Sequence, residues 1–203
     1  MEHDAFQREV QRHLDAGALS EAATLAVERL GPEVLGFMWS LTRDPDLASE
    51  SFSVFCEDLW RGLPSFRGEA SFRTWAYTLA RHAALRVQRD PYRQRRVGID
   101  DHPVLSDLIA RVRTSTLEFL KSEVREAVGR LRERLKPDEQ TLLVLRVDRK
   151  MSFQDIAVVM SGGPLTEGER KKRAALLRKR FERVKAKLQA LVEAEGLRRA
   201  GEA

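Results

Sequence analysis

The stretch that decides the fold reads Phe66-Arg67-Gly68-Glu69-Ala70-Ser71-Phe72-Arg73-Thr74-Trp75 and continues Ala76-Tyr77-Thr78-Leu79-Ala80-Arg81-His82. A short loop with glycine and arginine leads to Ser71, a residue type that caps helices. Apolar side chains then recur at helical spacing, which predicts a helix from Ser71 to about Arg89. The predicted inner face carries Phe72, Trp75, Leu79, Ala83 and Val87.

The outer faces of this predicted helix carry cations and a further ring. One line holds Arg73, Tyr77 and Arg81, and another holds His82, Arg86 and Arg89. A protein that separates DNA strands needs such a surface, because stacking a released base on a ring recovers about 1–3 kcal/mol. Cations then hold the phosphates. The alternative is that the rings of Phe72 and Trp75, as far as they are buried, serve only core packing, and the sequence leaves this open.

Helical patterns extend in both directions from this segment, and no stretch favours a strand. Gly31-Pro32 predicts the end of one helix and the start of the next, and Asp44-Pro45-Asp46 caps a helix that runs to about Trp60. Periodicity is weak from Asp90-Pro91 to about Thr114. The sequence therefore predicts an all-α protein of two small helical domains, 1–95 and 115–203, joined by a linker over 96–114.

The second half contains a helix-turn-helix pattern from Phe153 to Lys187. Ser152 caps a first helix, Ser161-Gly162-Gly163-Pro164 forms a turn, and a basic amphipathic helix follows over about residues 167–195. In this arrangement the second helix enters the major groove of DNA, where arginines bridge guanine edges and phosphates.

The charge is concentrated in two zones. Residues 67–96 carry a net charge of +6 and residues 166–188 a net charge of +7, so the rest of this +5 chain sums to −8. Two separate basic zones on an acidic background indicate two places where a polyanion is held. The competing interpretation is two solvated helix faces.

Several functional classes are excluded by the residue types. Cys56 is the single cysteine, and we expect its side chain to be buried in the core. The histidines at positions 3, 13, 82 and 102 are scattered, so we expect no metal site, no cofactor and no enzymatic activity. The first residues do not resemble a signal peptide, and no apolar run is long enough to span a bilayer. We therefore expect a cytoplasmic protein that does not bind membranes.

Residues 63–82 resemble conserved region 2 of extracytoplasmic-function (ECF) sigma factors of RNA polymerase, in the sigma-70 family. In that family this region contacts and melts the −10 promoter element. The family usually has asparagine where this chain has His82, and histidine can also donate a hydrogen bond. The resemblance implies −10 contacts by these residues: Arg67, Arg73, Trp75, Arg81, His82, Arg86 and Arg89.

Residues 137–146, 151–157 and 177–188 are similar to family region 4, which reads the −35 element. The implied DNA contacts are Arg178, Lys179, Arg180 and Arg183, with further contacts from Lys171, Lys172 and Arg173. The family joins its two matched helices by a shorter turn than residues 161–176 provide here. The extra residues either lengthen the recognition helix at its N-terminal end and add phosphate contacts, or form a solvated extension.

The helix before residue 60 lacks most of the family's polymerase-docking motif. The acids left for docking are Glu50, Glu57 and Asp58, and the competing interpretation is ordinary solvated helix surface. The resemblance implies core RNA polymerase and promoter DNA as partners, and the family also allows an anti-sigma factor. The rival hypotheses are a helix-turn-helix regulator that binds duplex DNA alone, a degenerate sigma-like protein that does not open promoters, and a structural adaptor.

Overall fold

Helices and short connections make up each described part of the computed structural model. The structure describes residues 2–89, 103–123 and 134–194, and no strand occurs within these ranges. The prediction of an all-α protein is therefore confirmed. In the same ranges no helix is both long and apolar enough to cross a membrane.

Four of the described helices form a first unit. They are α1 (Glu2–Asp15), α2 (Leu19–Thr42), α3 (Pro45–Gly62) and α4 (Phe72–Arg89), and a 3-10 turn, Leu63–Ser65, follows α3. Their apolar sides share a core whose fully buried rings are Phe37, Phe52, Phe55, Phe72 and Tyr77. Burying each such ring contributes about 1.5–3 kcal/mol, so this core holds the helices in their relative positions.

Polar caps fix where α3 and α4 begin. The Asp44 carboxylate accepts hydrogen bonds from the backbone N–H groups of Asp46 and Leu47, both at 2.8 Å. The Ser71 hydroxyl accepts one from the N–H of Thr74 at 3.1 Å. These contacts satisfy N–H groups that have no partner inside the helix, so both predicted helix starts are confirmed.

A further helix, α5 (Pro103–Glu123), packs on α2 where the sequence predicts a linker. Its buried side consists of Leu105, Leu108, Ile109 and Val112. Residues 103–114 of the predicted linker are thus helical and packed, because these four residues recur at helical spacing that the prediction overlooked. Residues 96–102 lie outside the described ranges, and the division into two domains at this point stays a prediction.

The predicted helix break at Gly31-Pro32 is wrong, because α2 continues through both residues. A Cβ added at Gly31 would lie 3.0 Å from Val112 Cγ1 and 3.4 Å from Phe52 Cζ. The glycine therefore allows close approach of α3 and α5 to α2. The packing of this face outweighs the hydrogen bond that Pro32 cannot donate.

The second unit contains α6 (Pro137–Leu143), a π-helical turn (Val144–Asp148), α7 (Phe153–Ser161) and α8 (Glu167–Ala194). Ser152 caps α7, and Gly162 ends it with a φ of +81°. α7, this turn and α8 form the predicted helix-turn-helix. Because α8 already begins at Glu167, most of the extra residues lengthen the second helix at its N-terminal end. The phosphate contacts expected of that extension remain a prediction.

The two units lie against each other. α7 packs along α4, while α6 and the π-helical turn pack on α2. A side chain at position 36 would require the Arg149 guanidinium to move, since a Cβ at Gly36 would come within 2.8 Å of Arg149 Nη2. The second unit therefore covers part of the helix that carries the predicted −10 contacts.

Candidate nucleic-acid interface

Trp75 belongs to a cluster of rings at the start of α4. Its ring centroid lies 5.2 Å from that of Phe72 and 5.1 Å from that of Phe66. Phe72 is fully buried, whereas Trp75 and Phe66 are half-buried. A Cβ at Gly62 would come within 2.8 Å of Trp75 Cζ2, so only glycine fits behind the indole. The cluster holds the indole in position and leaves part of it accessible.

The loop before α4 forms one wall of a pocket beside this indole. Gly68 turns the loop with a φ of +71°, and Arg67 is exposed on it. The pocket has a volume of about 210 Å³ and is lined by residues 65–70 and Trp75, with Val158 and Pro164 of the second unit opposite. A ring beside an exposed guanidinium suits an unpaired base and its phosphate.

Arg73, by contrast, is engaged inside the protein. Its Nη2 lies 2.8 Å from Glu33 Oε2, its Nη1 donates to the carbonyl oxygen of Arg149 at 3.1 Å, and only 13% of the side chain is exposed. Tyr77 is fully buried, and its hydroxyl donates to Glu33 at 3.1 Å. The predicted outer-face position of Tyr77 is therefore wrong, because Glu33 of α2 binds both side chains from the core side.

Glu33 carries the negative charge at this junction. Burial alone would raise the pKa of its carboxyl group, but hydrogen bonds and positive charge, chiefly from Arg73, bring the pKa below 4.5. Burial raises the pKa of Tyr77, so the phenol stays protonated and can donate a hydrogen bond to Glu33. The ionised carboxylate thus fixes Arg73 between the two units.

The remaining predicted −10 residues surround a cleft between the units. It has a volume of about 500 Å³, and its lining includes Arg81, His82, Arg86 and Arg89 from α4. Arg81 Nη2 lies 3.3 Å from Asp138 Oδ1, Arg86 pairs with Asp58 of α3, and Arg89 is exposed. The structure therefore brings four predicted contacts together, with two of their charges balanced by nearby carboxylates.

His82 packs against the turn that follows α7. A Cβ at Gly162 would come within 2.6 Å of its Nε2. Burial lowers the pKa of His82 below 6.5, and the charges of Arg81 and Arg86 lower it further, while Asp58 opposes this shift. The imidazole is thus neutral near pH 7 and adds no positive charge to the cleft.

The predicted −35 residues lie along α8. Lys172, Lys179 and Arg183 are spaced by seven and four positions, so they share a line on the helix. The buried side of α8 carries Ala174, Phe181 and Val184. Six of the seven predicted residues are exposed and Arg180 is half-buried; the exposed ones are Lys171, Lys172, Arg173, Arg178, Lys179 and Arg183.

Neighbouring side chains orient three of these cations. Arg178 lies over the ring of Phe153, 5.4 Å from its centroid. Arg180 lies 3.8 Å from Asp138, and Lys171 lies 2.5 Å from Glu167. The result is a long basic helix whose outward face suits the phosphates and base edges of a DNA groove.

The three acids predicted to bind polymerase occupy different environments. Glu57 is 2% exposed and lies 2.6 Å from Arg61 Nη1, so it is not presented to a partner here. Asp58 is paired with Arg86, and Glu50 remains half-exposed on α3. Cys56 beside them is buried, as predicted, and burial raises the pKa of its thiol.

Sequence reasoning missed the residues through which the second unit touches the loop and α4. Asp138 contacts Arg81 and Asp155 contacts Thr74, from 57 and 81 positions further along the chain. Arg170 Nη2 also donates to the carbonyl oxygen of Glu69 at 3.1 Å. Local periodicity cannot connect such distant positions, so only the folded structure reveals these contacts.

Comparison with known proteins finds similarity to RNA polymerase sigma factors. Residues 26–96, which include most of α2, α3 and α4, match the family described as Sigma-70 region 2. The chain is 29% identical to the ECF RNA polymerase sigma-E factor of Haemophilus influenzae, over 69% of this chain and 76% of that protein. It is 27% identical to the RNA polymerase sigma-H factor of Pseudomonas aeruginosa, over 68% and 75%. It is 26% identical to the RNA polymerase sigma factor YlaC of Bacillus subtilis, over 63% and 73%.

Proposed function

We infer from these similarities that the chain belongs to the sigma-70 family of RNA polymerase sigma factors and is of the ECF type. We propose that it directs core RNA polymerase to promoters and assists strand opening at the −10 element. Its proposed partners are core polymerase and promoter DNA. It acts by binding and positioning, and the polymerase supplies the catalysis.

One observation carries this proposal: the chain combines a region 2 helix bearing a half-exposed tryptophan with a separate basic helix in a helix-turn-helix. A regulator that reads only duplex DNA needs the second feature but has no use for the first. A half-exposed indole beside an exposed arginine is what a protein needs to hold an unpaired base.

The roles differ among the predicted −10 residues. Trp75 and Arg67 are proposed to hold the separated strand beside the pocket, because a partly accessible indole and an exposed cation line it together. Arg81, His82, Arg86 and Arg89 are proposed to follow the strand along α4. Arg73 acts as a positioning residue through Glu33, since little of its side chain reaches solvent.

The −35 element is proposed to bind α8. Its outward cations approach phosphates and base edges in the major groove, and those in the N-terminal extension, Lys171, Lys172 and Arg173, add phosphate contacts. Polymerase docking is assigned to the α3 surface around Glu50, because Glu57 is buried and Asp58 is paired with Arg86.

The test is run-off transcription with purified bacterial core polymerase on a pool of genomic promoters. We expect discrete transcripts that require the protein, and their loss when Lys179 and Arg183 are both replaced by alanine. The matched control is Arg29→Ala, which removes an exposed cation from α2 and should leave transcription unchanged. If polymerase yields no protein-dependent start site, the proposal is wrong.

A degenerate sigma-like protein that binds polymerase but opens no promoter is the second candidate. It is favoured by the burial of Glu57 and the pairing of Asp58 with Arg86, which leave a sparse docking surface. Permanganate reactivity of thymines near −10 separates the two candidates. The proposed function predicts reactive thymines that diminish with Trp75→Ala, and the second candidate predicts none.

A further inference from the structure

The side of α4 that carries Thr74, Thr78 and Arg81 faces the second unit. These three positions are spaced by four and three residues, so they form one line along the helix. Thr74 and Thr78 are 1% and 6% exposed, although both are polar and neither belongs to the apolar core. α7 packs along α4, so this polar line is covered by another part of the same chain.

Two carboxylates of the second unit contact this line. Asp155 Oδ1 accepts a hydrogen bond from the Thr74 hydroxyl at 3.0 Å. Asp138 Oδ1 lies 3.3 Å from Arg81 Nη2. Carboxylate and phosphate oxygens accept hydrogen bonds from the same donors. The second unit thus places negative oxygens on donors that a nucleic-acid backbone would otherwise use.

Further contacts close the arrangement at both ends of this line. Arg170 donates to the carbonyl oxygen of Glu69 in the loop before α4, at 3.1 Å. At the other end Gly162 lies against the ring of His82. The covered surface therefore extends from the loop before α4 into the third turn of the helix.

We propose that Asp138 and Asp155 form an acidic latch, which covers α4 in the free protein and competes with DNA for it. That the competing polyanion is DNA rests on the proposed function, whereas the covering of α4 by the second unit does not depend on it. The latch is reversible, because the Asp138 side chain is 53% exposed and its ion pair with Arg81 is weakened by solvent and salt. Nucleic acid reaches this side of α4 only after the second unit has moved away.

The proposal has a measurable consequence for the affinity of the free protein. If the closed arrangement holds nine molecules in ten, the apparent Kd is about tenfold weaker than that of the open form, because only the open fraction binds. Replacing both aspartates by asparagine removes the charges that hold the latch while leaving side-chain size nearly unchanged.

The experiment measures binding of a fluorescein-labelled single-stranded DNA oligonucleotide to the full chain by anisotropy, with no polymerase present. The test protein is the double variant Asp138→Asn/Asp155→Asn. The control is Asp15→Asn/Asp107→Asn, which removes the same two charges from exposed positions on α1 and α5. Since Asp155 also bonds with Ser152 at the start of α7, Asp138→Asn alone serves as a second test that leaves that cap intact.

We expect the latch double variant to bind about tenfold more tightly than its control, Asp138→Asn to lie in between, and the radius of gyration from small-angle scattering to increase. Equal affinities of the two double variants would overturn the latch. So would a gain in affinity without expansion, since α4 would then have been accessible in the closed protein.

Failure of the proposed function is distinguishable from failure of the latch. If core polymerase finds no start site while the latch variant still gains affinity and expands, the sigma-factor proposal falls and the latch stands. If start sites are found and the two double variants bind equally, the sigma-factor proposal stands and the latch falls.

Discussion

Replacing Arg73 by methionine tests whether this cation holds the fold together or is available to DNA. The guanidinium donates to the Glu33 carboxylate and to the carbonyl oxygen of Arg149, and it lies over the ring of Tyr77, 5.2 Å from the centroid. Methionine keeps most of the apolar length of the side chain and removes the charge and the donors. The loss then reports on these polar contacts alone.

The expected loss follows from three contributions. Glu33 is 38% exposed, so water replaces part of its lost partner, and this ion pair contributes about 1 kcal/mol. The carbonyl oxygen of Arg149 loses a charged donor, which costs about 1.5 kcal/mol. The cation–π contact adds about 0.5 kcal/mol. The free energy of unfolding should fall by about 3 kcal/mol, which lowers the Tm by about 6–12 °C for a chain of this length.

Thermal unfolding followed by circular dichroism measures this change, and denaturant unfolding gives the free energy. Arg67→Met is the matched control. It removes the same group from an exposed loop position and should change stability by less than about 0.5 kcal/mol. If Arg73→Met is as stable as that control, Arg73 does not make these contacts in solution and its role as a positioning residue is refuted.

Three further predictions concern a helix cap, a titrating ring and the basic helix. Asp44→Ala should cost about 1 kcal/mol in thermal unfolding, because it removes the acceptor of two N–H groups at the start of α3; no change would show that the cap is dispensable. As the pH falls below 6.5, the unfolded chain takes up a proton at His82 before the folded chain does, so the free energy of unfolding should decrease until the native ring is protonated too. His82→Gln should lose this part of the pH dependence of the unfolding free energy. Equal pH profiles for the two proteins would contradict the burial of the ring. Lys172→Ala and Lys179→Ala should each reduce the slope of log K against log salt for promoter binding by about 0.9, and an unchanged slope would place these cations away from phosphates.

Local signals predicted most helix starts and the helix-turn-helix. Ser71, Asp44 and Ser152 each bond backbone N–H groups at the first turn of a helix, a contact that depends only on residues two or three positions away. Such contacts can be predicted from a single stretch of sequence. The exposed cations of α8 follow equally directly, since its apolar residues leave them on the opposite side.

The predictions failed where tertiary packing determines the local structure. Gly31-Pro32 has the composition of a helix end, yet the approach of Val112 and Phe52 makes use of the glycine inside α2. Tyr77 was placed outside because its neighbours on α4 are basic, while the carboxylate that holds it, Glu33, lies on another helix. Neither partner can be identified from the periodicity of a single helix.

The sequence also did not predict that the second unit covers part of α4. Arginine and lysine bind phosphates and also form ion pairs within a protein, so the sequence around Arg81 could not show which of these roles it has. Only the fold brings Asp138 to that side chain. The sequence thus predicted which residues could bind DNA, and the structure adds which of them are occupied in the free protein.

Hydroxyl-radical footprinting of the polymerase assembled with this protein, on a promoter found by run-off transcription, is the most direct test that two separate cationic helices bind a promoter. Two protected segments are predicted, one at the −10 element and one at the −35 element, and replacing Lys179 and Arg183 by alanine should remove only the second. A single protected segment, or equal loss of both in that variant, would contradict binding at two places.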